Sequence, residues 1–235
     1  TMKHTDSDNN TAKVLRQLDV HNKTTHKDNM KNKCLESLTD EIKPYVEQAK
    51  DKGASSWLNA ILLEAQDLDL TKEEFQDALR LRYGLALSDL PSFCPCGERF
   101  DVDYALICTK GGFVHRRHDN IRDLFTILLN KVCIDVESEP HLWPITNETF
   151  QHKSANVSDE AHLDMKAHCF WRHGKTAYFD VRVTHVNSKS NRGKTTKSIF
   201  REHKMAKKRE YKERVLEVEH ASLTPLVFGT NRGMG

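Results

Sequence analysis

Apolar residues are nearly missing from the first 33 positions, which are rich in Asn, Lys, Thr, Asp and His. Such a stretch cannot bury enough surface to order itself, and is expected to be disordered or weakly helical. From Cys34 to Lys52 the apolar positions Leu35, Leu38, Ile42, Val46 and Ala49 recur at helical spacing. Further on, Thr71 with Glu74 three residues later has the spacing of a capping box, followed by Phe75, Leu79 and Leu81. Gly84 is the expected stop of that helix. A second helical stripe begins after Asp119, with Ile121, Leu124, Phe125, Leu128, Leu129 and Val132 on one side.

Beyond that helix the period changes from helical to alternating. "IDVES" reads as a short strand, 142–160 as polar and turn-rich, and 161–169 and 176–186 as two strands joined by the turn "WRHGK". On the second strand Tyr178, Asp180, Arg182 and Thr184 share one face, and Phe179, Val181 and Val183 the other. A basic linker (187–195) leads into a long helix of about 196–219, and "LTPLVFGT" makes a last strand. The order from Asp119 is helix, strand, strand, strand, helix, strand. The final crossover predicts a last strand parallel to a central one, in an α/β sandwich. The expected organisation is a weakly ordered 1–33, a helical segment 34–90, a loop-like Cys-rich module 91–118 and an α/β domain 119–235.

Charge sharpens this picture. The net charge of +2 hides a block from His185 to Arg214 with 11 Lys+Arg against 3 Asp+Glu, a net +8. Such a block suits a polyanionic partner, or is simply a solvated helix face. No apolar run is long enough for a membrane span. The N-terminus lacks the apolar region of a signal peptide, so the protein is expected to be intracellular. Thr1 ahead of Met2 looks like a residue added by cloning, which leaves open an extension of the natural chain in either direction.

Two groups of residues carry chemistry. Asp164 and Asp180 each stand in an otherwise apolar strand, where a carboxylate is costly unless paired. Two such acids converging from neighbouring strands repel, and a divalent cation such as Mg²⁺ relieves that by taking oxygens from both. The plainer reading is that Asp180 pairs with Arg182 or His185. The second group is Cys94, Cys96 and Cys108: thiols this close in a reduced setting point to a metal. Cys133 and Cys169 are read as core residues. Trp57, Trp143 and Trp171 are expected to be core anchors.

An acid ending one strand and an acid–x–base triplet on the next, in αβββαβ order, resembles the PD-(D/E)xK nuclease fold. More narrowly, the cysteine cluster followed by "RRHDN", the pair "LD…FDV" and the helix with "KMAKKREY" resemble the restriction-like endonuclease region of site-specific non-LTR retrotransposon proteins. "GASSWL", "ALRLRYG" and "EHASLTPLVF" look like parts of reverse-transcriptase-associated sequences that carry the same cluster. The resemblance covers residues 53–235. It implies a Mg²⁺- or Mn²⁺-dependent DNA endonuclease acting in the nucleus, with Asp164 and Asp180 as metal ligands and Glu137 or Glu139 completing the site. Arg182 stands where the triplet lysine would be, and an arginine cannot readily take a proton from water. The retrotransposon type carries its lysine on the following helix near a tyrosine. That matches Lys204, Lys207, Lys208 and Tyr211, with Lys207 the first choice for the catalytic lysine and Lys204 the second.

Lys189, Arg192, Lys194, Lys197, Arg201 and Lys208 would then contact phosphates of DNA or RNA. The resemblance also implies a structural zinc knuckle. Its histidine is replaced by Tyr104, so His115 or His118 is the candidate fourth ligand, unless the knuckle is a relic without zinc. His118 has an alternative role as a cap of the following helix, with Asp119 and Asn120. The expected partners are DNA and a reverse transcriptase domain in the same or another chain. Two rivals stand beside this reading: a nuclease-like module that binds nucleic acid without cutting, and a host-recruited structural or interaction domain.

Overall fold

The computed structural model describes residues 5–51, 53–59, 69–111, 113–146, 148–156, 161–231 and 233–234. Parts of the 34–90 segment (52 and 60–68) and of the 142–160 turn region (147 and 157–160) lie outside the described residues. The chain divides into two units, Thr1–Val46 and Glu47–Gly235. In the first, α1 (Thr5–Glu36) is a helix, and its side chains from Asp19 to Cys34 are exposed. The apolar spacing between Leu35 and Ala49 yields one short helix, α2 (Lys43–Gln48).

The second unit is built on a mixed α/β plan. α3 (Lys72–Arg82) opens on a capping box: Thr71 accepts from the Glu74 N–H and the Glu74 side chain accepts from the Thr71 N–H. The 91–118 stretch is not wholly loop. It contains α4 (Val102–Ile107), because Asp101 caps it by accepting from the Tyr104 N–H at 2.6 Å. α5 (Phe113–Asn130) begins before Asp119, so His118, Asp119 and Asn120 lie inside the helix and not at its cap.

Four strands form one sheet in the order β1 (Ile134–Ser138), β2 (Met165–His168), β3 (Thr176–Thr184), β4 (Ser222–Gly229). β1–β2 and β2–β3 are antiparallel and β3–β4 parallel. The long α6 (Thr196–Glu217) makes the crossover from β3 to β4. Pro225 sits opposite Asp180 on β4, an edge strand, where a missing N–H is tolerated.

The alternation along β3 decides what each face buries. Phe179 and Val181 pack with Met165, Ala167, Leu226 and Leu129 of α5, flanked by Ile121 and Phe125. On the opposite face Tyr178 packs with Leu163 and Val215 of α6, while Ile199 and Phe200 meet Val227. Helices therefore cover both faces. Trp143 and Trp171, expected in the core, are 70% and 60% exposed. Met165 is fully buried. Met165→Ala should cost about 2–5 kcal/mol of stability in denaturant unfolding; a loss below about 1 kcal/mol would mean that this core is not packed as described.

Candidate functional site

A cleft of about 630 Å³ opens where α5, the start of β2, the middle of β3 and α6 meet. His115, His118, Asp164, Asp180, Arg182, Lys207, Glu210 and Tyr211 are among its lining residues. Asp164 precedes β2; one carboxylate oxygen accepts the Val181 N–H, and the other lies 3.3 Å from His118 Nε2. Asp180, on β3, is 5% exposed. Lys207 Nζ donates to its Oδ1 at 3.2 Å and lies 3.0 Å from Oδ2. It is not aligned on Oδ2, which is buried without a hydrogen bond.

The two acids differ in charge state for physical reasons. Burial pushes Asp180 up to about 6; Lys207 opposes this and the Asp164 carboxylate adds to it. Burial also raises Asp164, but the His118 ring and the Val181 N–H more than offset that, so its carboxyl falls below the usual range. Asp164 in turn raises His118. The carboxylates are close enough to share a hydrogen bond when one is protonated. Asp180 Oδ2 is thus a buried carboxylate oxygen that makes no hydrogen bond, and oxygens of this kind are the donors that a hard divalent cation could use.

Of the residues singled out on sequence grounds, Asp164, Asp180, Arg182, Lys207 and Tyr211 meet in this cleft. Lys207 Nζ also lies 5.4 Å from the centre of the Tyr211 ring, whose phenol is raised by burial. Neither Arg182 nor His185 is the partner of Asp180. Arg182 is exposed at the mouth of the cleft, and His185 Nε2 lies 3.1 Å from Asp103. The acids of β1 and its end do not join the site: Glu137 is paired with Lys166 across the strands, and Glu139 with Arg122.

Lys204 and Lys208 leave the group expected around Lys207. They line a second groove, of about 560 Å³, with Lys197 and Arg201. Phe200, Met205 and Met234 form apolar parts of this groove, and Asp51 is the one acid among its described lining residues. Lys189, Arg192 and Lys194 are exposed before α6, with Lys194 held 2.6 Å from Glu202.

His118 and Glu210 are among the residues that enter the cleft without a sequence signal for this role. His118 reads from sequence as a zinc ligand or a cap, and Glu210 is not marked at all. Glu210 is three residues from Lys207, a spacing that puts both on one side of a helix. The contact of His118 with Asp164 joins residues 46 apart, which no local pattern signals.

The cysteine module folds around its thiols. Pro95 and Gly97 make a tight turn in which the Gly97 N–H bonds to Cys94 O at 2.8 Å, with Gly97 at φ +90°. α4 then brings Cys108 back. The sulfurs of Cys94, Cys96 and Cys108 all lie within 4.8 Å of one another, a group that could hold a metal such as zinc. Among the described residues it is the only such ready-made group, and His115 is not part of it. His115 faces the cleft, and His118 is bound to Asp164. The Tyr104 hydroxyl lies 2.8 Å from Cys96 Sγ and holds that thiol down to about 7.

No protein-family model matches the chain, and no curated protein matches it. Among the described residues, no helix is long and apolar enough to cross a membrane.

The raised carboxyl of Asp180 has a thermodynamic signature. Without a bound cation, the folded protein keeps this proton at a pH where the unfolded chain, with its carboxyl near 3.8, has lost it. Stability from this group is thus greatest below about pH 4 and falls by about 3 kcal/mol as pH rises through about 6. Asp180→Asn should remove that part of the slope. Equal pH dependence of the two proteins in denaturant titrations at pH 4 and pH 7 would show that the carboxyl is not buried as described.

Proposed function

We propose that this chain is a metal-dependent DNA endonuclease domain of a retroelement, one that nicks target DNA and exposes an end from which a reverse transcriptase primes. The observation that carries the reading is the convergence of Asp164, Asp180 and Lys207 in one cleft, from the residue before β2, from β3 and from α6. The resemblance of "RRHDN", "LD…FDV" and "KMAKKREY" to retrotransposon endonuclease regions supports it, as does the run of helix, three strands, helix and strand from α5 to β4.

Asp164 and Asp180 would hold a Mg²⁺ or Mn²⁺ ion, which supplies charge neutralisation at the phosphate and makes the attacking water more acidic. The chain's own residues do the rest. The Val181 N–H and His118 fix the orientation of Asp164. Lys207, which lines the cleft beside Asp180, would stabilise charge developing on a phosphodiester. Arg182 at the mouth binds phosphate without taking a proton. On the adjoining strip of α6, Lys197, Arg201, Lys204 and Lys208 suit the backbone beside the cut, contacts that position DNA without reading its sequence.

Plasmid nicking assays with Mg²⁺ and Mn²⁺ test the reading. The parent protein should nick; Asp180→Asn should abolish nicking while sparing DNA binding; Lys207→Met should slow it by roughly 10²–10³-fold. A parent protein that binds DNA but cuts with neither ion would be a nuclease-like binding module instead.

The second groove gives a separate prediction. Lys204→Glu with Lys208→Glu should weaken DNA affinity and flatten its salt dependence by about 0.9 in log–log slope for each phosphate no longer neutralised. An unchanged slope would place the nucleic acid elsewhere on the protein.

A further inference from the structure

Three thiols are one donor short of a closed structural zinc site, which takes four protein ligands in a tetrahedron. The sulfur spacing already suits that geometry. With zinc–sulfur bonds of about 2.3 Å, the edges of a tetrahedron are about 3.8 Å. Cys94 and Cys108 are 3.8 Å apart, and Cys96 and Cys108 are 3.9 Å apart. What remains is the identity of the fourth donor.

Histidine does not supply it. His115 faces the cleft and His118 is engaged by Asp164. Tyr104 is at hand. Its hydroxyl is 2.8 Å from Cys96 Sγ and also borders the Cys108 thiol. Tyr104 lies inside α4 and Cys108, four residues on, is its C-cap, with the Cys108 N–H bonded to Tyr104 O, so the helical turn itself sets phenol and thiol on the same side. Asp101 fixes where that turn begins. The Gly111 N–H donates to Cys108 Sγ at 3.3 Å, which offsets part of the charge that ionised ligands would bring.

We propose that Tyr104 is the fourth ligand, as a phenolate, of a Cys₃Tyr zinc centre formed with Cys94, Cys96 and Cys108. Zinc takes the places of the thiol and phenol protons, which pass to solvent, and no electron changes hands. An oxygen donor among soft sulfurs is the vertex most open to exchange. The centre is separate from the acidic cleft, so it stands or falls independently of the nuclease reading.

The test uses the whole chain, stripped of metal and titrated with Zn²⁺ and with Co²⁺. Zinc should add tyrosinate absorption in the near ultraviolet to the parent protein and none to Tyr104→Phe. Cobalt should give thiolate charge-transfer bands and tetrahedral d–d bands, and Tyr104→Phe should shift the latter. That variant should also weaken zinc binding on the order of 10-fold or more in Kd. Tyr104→His should restore the affinity with a different cobalt spectrum. A parent protein that takes up no zinc, or takes it up without a tyrosinate signal, would overturn the proposal with no variant needed. So would a folded Tyr104→Phe protein with unchanged cobalt bands and unchanged affinity.

Discussion

Asp180 is a carboxylate in the middle of a sheet, within reach of a second carboxylate, and the fold around it is arranged to meet that cost. Leaving one partner of a buried ion pair alone costs several kcal/mol, because the stranded charge has no water to turn to. Lys207 is the cation that meets Asp180, so α6 has to cross the sheet with that residue above β3. Val215 toward one end of the helix, and Ile199 and Phe200 toward the other, fix this placement by packing on the same face of the sheet. With the inner side of α6 committed in this way, Lys197, Lys204 and Lys208 are left for a neighbouring groove.

The two faces of β3 divide the labour. Phe179 and Val181 face α5 and build the apolar core, while Asp180 and Arg182 face the cleft. The cysteine module is tied to this sheet, although its thiols take no part in the cleft. His185, just after β3, meets Asp103 of α4 at 3.1 Å, and Arg117 of α5 donates to Leu106 O of α4 at 3.0 Å. A metal held by the thiols would therefore brace the helix from which His118 reaches Asp164. α5 thus packs on the helix of the cysteine module and also lines the acidic cleft.

Much of this could be read from residue order because it depends on near neighbours. The alternation of β3, the capping box of α3, the strand-forming "IDVES" and the long α6 are local patterns, and each appears as an element close to its expected bounds. Asp164 and Asp180 stand out for the same reason, as polar residues breaking apolar runs. The sequence by itself thus determined these elements, the two faces of β3 and the grouping of the cysteines in one module. Only the tertiary structure decided which groups meet. It gave Asp180 to Lys207 rather than Arg182, turned Lys204 away, left Glu137 and Glu139 to Lys166 and Arg122, and drew His118 to Asp164 and Tyr104 to Cys96. Choices of this kind turn on the rotation of a helix by a fraction of a turn. That rotation is set by packing over residues far apart in the chain, which local periodicity does not encode.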